Sequence, residues 1–169
     1  MSTFKNTQDI FKRIDYQIIA NGWFQLYFSN GILRSDIDWL EKENYEIAEF
    51  SCHGLSSLFN QFSDYFHFPN YFRHNFNAFN DCLRDIEIKG IGLAIVLKRV
   101  DSLKKDVTDS LLDILVNMAR LNFIIGKRVL IMAQVDDNKF RAEHIGAIEI
   151  RWNLKEFVDS TREENYTQQ

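Results

Sequence analysis

One proline, two cysteines and seven glycines in 169 residues exclude several classes of protein at once. Collagen-like and Pro/Gly-rich low-complexity chains need far more proline and glycine. A disulfide-stapled secreted scaffold needs more than one possible cysteine pair. Cys52 and Cys82 are therefore expected as free, buried thiols in a core that needs no staple. Eighteen consecutive apolar residues occur nowhere, and the first ten residues carry no long apolar run after their charges, so neither a membrane span nor a leader is expected. The expected location is cytoplasmic. No linker-like or repeated segment interrupts the chain. One unit over 1–169 is expected, with a core at about 45–135, an N-terminal extension over 1–44 and a C-terminal strand and helix over 145–160.

Catalytic signatures are missing too. There is no glycine-rich phosphate loop, no GxSxG elbow and no HExxH helix, and Gly90-Ile91-Gly92 precedes a strand instead of following one, which fails the dinucleotide fingerprint. Cys52-His53 places a thiol beside an imidazole. Adjacent residues of an extended segment point to opposite faces, however, so the two cannot readily share a proton. His53, His67, His74 and Cys82 lack the close paired spacing of a zinc site. Enzymatic activity, a cofactor and a metal are not expected.

What is present is apolar and aromatic. Hydrophobic residues make up 46% of the chain, with fifteen phenylalanines, enough for a sizeable core. The net charge of −4 is unevenly spread. Between Asp36 and Glu87 ten acidic residues face three basic ones, giving −7 for that stretch and +3 for the remainder. This asymmetry disfavours direct nucleic-acid binding and suits a basic protein partner, although a solvated surface is the ordinary reading of such a stretch.

Periodicity predicts alternating strands and helices. Ile10 to Ile19 reads as a short amphipathic helix and Trp23 to Phe28 as a strand closed by a Ser29-Asn30-Gly31 turn. Ser35 is expected to cap a helix through Leu40 and Asn44. Tyr45 to Phe50 alternates like a strand, and Leu55, Leu58, Phe59, Phe62 and Phe66 form a helical stripe ending before Pro69. The apolar runs Ile91 to Leu97 and Arg128 to Val135 resemble buried parallel strands, joined by a helix over about Asp109 to Asn122. Ile145 to Trp152 reads as a further strand, and Asn153 as the cap of a short last helix through Phe157, with a frayed tail from Glu163. The expected fold class is α/β: a three-stranded parallel sheet flanked by helices, with extra strands and helices at both ends.

The segment from Phe68 to Leu83 is the most informative. From Asn75, a plausible N-cap, Phe76, Phe79, Leu83 and Ile86 recur at helical spacing. At about 100° per residue Asp81 lies nearly opposite that stripe, with Asn77 and Asp85 one turn to either side. Pro69, Tyr71, Phe72, Asn75, Phe76, Ala78, Phe79, Asp81, Cys82 and Leu83 together resemble the loop and helix of the barstar-like ribonuclease inhibitors. The resemblance implies that an acidic helix plugs the active site of a ribonuclease, with Asp81 in the place of a substrate phosphate. The expected partner-binding residues are Tyr71, Asn75, Asn77, Asn80, Asp81 and Asp85. Arg73 replaces the family's glycine and Asn77 its first aspartate. The acid that the family adds from its third helix has no clear match, although Asp109 and Asp113 lie nearby in a different register. These departures imply an inhibitor directed at a basic ribonuclease other than the family's best-known one; a monomer before binding and an immunity protein against a bacterial toxin are expected. The alternative is a barstar-fold module that binds or scaffolds without inhibiting.

Overall fold

The computed structural model of the chain describes residues 4–142, 145 and 152–166. Its centre is a parallel sheet in which β3 (Gly92–Lys98) and β4 (Arg128–Gln134) lie side by side, Leu93 opposite Val129 and Ile95 opposite Ile131. Both strands are buried almost throughout, which is why they read as continuous apolar runs. Gly92 opens β3 because nothing larger fits: a Cβ there would stand 2.6 Å from both the Arg128 carbonyl oxygen and the Tyr45 ring. β2 (Glu46–Ser51) pairs with β3, and its glutamates face out along the edge.

The sheet has four strands, not three. β1 (Phe24–Tyr27) pairs with the far side of β4, Phe24 opposite Ile131 and Tyr27 opposite Gln134, giving the order β1-β4-β3-β2. The segment was legible as a strand, but its place in the sheet rests on pairing more than a hundred residues away. Successive residues of β3 and β4 serve opposite faces. On one face Ala94, Val96, Leu130 and Met132 meet α1 (Ile14–Ala20) and α2 (Asn30–Lys42) through Ile18, Leu33, Ile37 and Leu40. On the other, Leu93, Ile95, Leu97, Val129 and Ile131 meet α3 (Leu55–Phe66), α4 (Phe76–Arg84) and α5 (Lys105–Ile124). No helix among the described residues is long and apolar enough to cross a membrane.

Several boundaries differ from expectation. The Ile10 to Ile19 segment divides into a 3-10 turn over Gln8–Lys12 and α1, separated by the extended Arg13. α2 begins at Asn30, five residues before the predicted cap. Ser29 is the cap, its Oγ accepting from the Ile32 amide at 3.3 Å, so the apparent turn is a helix start. α5 runs a turn further at its N-terminal end than predicted. The predicted strand Ile145 to Trp152 lies, apart from its two end residues, outside the described residues; Trp152 bridges to Leu26. Asn153 caps no helix. Its Oδ1 accepts from the Lys155 amide in a turn, and the last helix, α6 (Asp159–Tyr166), starts later and includes part of the tail expected to fray.

Buried polar groups tie the two ends to this core. Asp15, fully buried, accepts from Arg13, from the Tyr45 hydroxyl at 2.6 Å and from Arg128. Glu156, also fully buried, accepts from the Phe28 and Ser29 amides at 2.9 and 2.7 Å, joining the C-terminal segment to the start of α2.

Candidate functional site

α4 is a nine-residue helix, too short to persist alone in water. Three features hold it. Asn75 caps it, its Oδ1 accepting from the Ala78 amide at 2.9 Å. Phe79 is wedged beneath it, fully buried, with ring centroids 4.9 Å from Phe62 and 5.1 Å from Phe59. Leu83 and Cys82 complete the buried stripe. The preceding loop rests on the same aromatic bed: Phe68 is buried and Phe72 packs edge-on against both Phe68 and Phe59.

The opposite face of α4 is polar and open. Asn77, Asp81 and Asp85 are exposed, Asn80 is half-buried, and Tyr71 in the loop is 80% exposed. Among the described residues Asp81 has no hydrogen-bond or ion-pair partner. Asn77, Asn80 and Asp81 lie on the two turns that follow Asn75, whose side-chain carbonyl oxygen is already engaged in the cap, and Tyr71 precedes them in the loop. Asp85 is the C-cap residue and lines a different depression, with Glu46 and Tyr65 beside it. Burial first, then the Asp85 and Asp81 carboxylates, push the Cys82 thiol up.

The central acidic stretch is less available than its count implies. Asp36 is bound by Lys155, Glu43 by Arg13, and Asp38, Glu41 and Glu49 gather around Arg34. Half of the ten acids therefore serve intrachain pairs around α2 and β2. On α4 itself Asp81 is the one acidic residue, followed by Arg84 in the last turn and Asp85 at the C-cap.

α5 packs beside α4, as the crossover from β3 to β4 requires. Asn80 and Arg84 from one helix and Asn117, Leu121, Asn122 and Ile125 from the other line a shared groove of about 170 Å³. Asp109 and Asp113 lie nearer the start of α5 and do not line it. The aliphatic groove residues escaped the sequence reading. Their signal was that Leu121 and Ile125 fall outside the buried stripe of Leu111, Leu112, Leu115, Met118 and Ala119.

Cys52 is fully buried while His53 is exposed. Burial, with a smaller contribution from Asp101, pushes the Cys52 thiol up to about 12, the condition of a core residue and not of a nucleophile. Among the described residues no group of three or more His, Cys, Asp or Glu side chains could hold a metal ion.

A family model described as Barstar (barnase inhibitor) matches residues 35–144, from within α2 past the end of β4. No curated protein matches the chain.

Proposed function

This chain belongs to the barstar (barnase inhibitor) family, and from that premise we propose that it inhibits a ribonuclease by inserting the polar face of α4 into the enzyme's active site. The observation that carries this reading is Asp81: an exposed carboxylate without a partner among the described residues, on a helix fixed from below by Phe79 and at its start by Asn75. A ribonuclease site gathers cationic and hydrogen-bonding groups around a phosphate. A rigidly held carboxylate with amide neighbours satisfies those donors without offering a bond to cleave. Asn77 and Asn80 supply the amides and Tyr71 a stiff amphipathic contact at the rim, while Asp85, at the C-cap, adds its carboxylate outside this cluster. Asn75 acts chiefly by holding the helix start. The biological setting that fits is an immunity protein protecting a bacterial cytoplasm from a ribonuclease toxin.

The test is inhibition of RNA cleavage by barnase and by a panel of basic bacterial ribonuclease toxins. At least one toxin is expected to be inhibited in a complex burying roughly 1,600 Å², and barnase weakly or not at all. Asp81→Ala should weaken binding at least roughly thirtyfold, as loss of a central anchor does. Association should slow as salt rises, as it does for barstar complexes. Binding of a partner that leaves every nuclease active would mark the chain as a non-inhibitory module.

A further inference from the structure

The last turn of α5 has the wrong chemistry for a helix end left in water. The dipole there favours Lys, Arg or His, yet the turn carries no basic residue. It carries instead Leu121, Ile124 and Ile125, which are 47%, 78% and 73% exposed. The cap does not need them. Gly126, with φ at 81°, turns the chain, and its amide and that of Lys127 close onto the Phe123 and Asn122 carbonyls at 3.0 and 2.9 Å. β-branched residues are also weaker helix formers than the alternatives. Neither local helix chemistry nor the core accounts for this patch.

Its position does. Leu121, Ile125 and Met118 line the groove with Asn117 and Asn122 on the α5 side, and Asn80 and Arg84 line it from α4; Asn80 is the residue next to Asp81. A body seated on the polar face of α4 would therefore meet the groove. The volume of about 170 Å³ suits a single side chain, whose apolar part would meet Met118, Leu121 and Ile125. Arg84 is the charged residue among those lining it and would repel a lysine or arginine. The groove is thus sorted from Asp81: cationic groups go to the carboxylate, apolar ones to the groove.

We propose that the α4–α5 groove receives one aliphatic or aromatic side chain of the target ribonuclease, flanking that enzyme's cationic active site, and that Leu121 and Ile125 set which nuclease is bound. The proposal rests on the α4 reading above but can fail separately from it. The chain, Asp81→Ala and the double variant Leu121→Ser/Ile125→Ser are each titrated against a ribonuclease toxin that the unsubstituted chain inhibits in the panel above, at several salt concentrations. Both substituted aliphatic residues lie outside the core, so thermal midpoints should match. The double variant should raise Kd roughly tenfold or more, mainly through faster dissociation, and leave the salt dependence of association unchanged. Asp81→Ala should flatten that dependence. A Kd within twofold of the parent for the double variant, with Asp81→Ala still weakening binding, overturns the groove assignment and leaves the α4 reading standing. Absence of inhibition by the unsubstituted chain overturns both. A dimer of the chain that the double variant dissociates, detected by light scattering, assigns the patch to self-association and also overturns it.

Discussion

Replacing Glu156 by alanine should loosen the whole N-terminal half of the fold, although the residue lies beyond the family-matched span. Its carboxylate is fully buried and receives three donors: the Ser29 amide on Oε1 at 2.7 Å, and on Oε2 the Phe28 amide at 2.9 Å and the Asn153 side-chain amide at 2.7 Å. Hydrogen bonds to a charged group contribute about 1.5–3 kcal/mol each. Bonds that share one carboxylate are not additive, so the loss is expected at about 3–5 kcal/mol, in the range found when one partner of a buried charged cluster is removed. Glu156→Gln keeps the shape but turns an NH2 toward a donor, and should cost about 1–3 kcal/mol. For a domain of this length each kcal/mol shifts the melting midpoint by roughly 2–4 °C. Glu156→Ala should therefore melt roughly 10 °C lower by circular dichroism, and the Ser29 amide should exchange faster with deuterium. A midpoint within about 1 °C of the parent, with that amide still protected, would refute the idea that this carboxylate clamps the two termini together.

Two further outcomes follow from the same structure. The Cys52 thiol, with an ordinary value of 9.0 and a folded value of about 12, stays protonated in the fold where the unfolded chain would ionise. Its stabilising contribution is complete below about pH 9 and is lost as pH rises toward about 12, at about 1.4 kcal/mol per unit. Urea denaturation should show roughly 2 kcal/mol less stability at about pH 10.5 than at about pH 8 from this group. Cys52→Ala should flatten that slope, and an unchanged slope would count against burial as its cause. Asn75→Ala removes the α4 cap and should cost about 1 kcal/mol, measured by the same denaturation. It should also weaken ribonuclease inhibition, because the helix that presents Asp81 frays from its first turn; equal affinity for both forms would separate the cap from the binding surface.

Much of this architecture was legible locally. α3 and α4 were read from apolar spacing, β3 and β4 from unbroken apolar runs, and the Asn75 cap from one residue before a periodic stripe; each signal lies within a dozen residues. The start of α2 was misread because Ser29-Asn30-Gly31 has turn composition, while what distinguishes a helix start there includes Glu156, more than a hundred residues away. The fourth strand was seen as a segment and missed as a partner for the same reason: the Phe24–Ile131 register is written in neither stretch alone. Charge was countable but not assignable. A run of −7 looked like one acidic surface until Arg34, Arg13 and Lys155, all outside it, proved to bind half of its acids.

That redistribution bears on how an enlarged fold could keep an inhibitory helix usable. α1, α2 and β1 extend the sheet at the β4 edge and cover the face opposite α4, and the acids neutralised by Arg34 and Lys155 lie on that covered side. α4 sits on the other face, gripped from beneath by phenylalanines and bordered by α5. A helix so short displays a fixed carboxylate only if its buried side is rigid and its outer side is left alone. The additions satisfy the second condition by building away from α4. Asp81 itself has no ion-pair partner among the described residues, so its charge on α4 is not drawn off by the chain. On the proposed reading of α4, discrimination would pass to the uncharged neighbours of Asp81, the amides of α4 and the aliphatic residues of α5, where a difference of one side chain in the partner would change affinity without altering its electrostatic attraction.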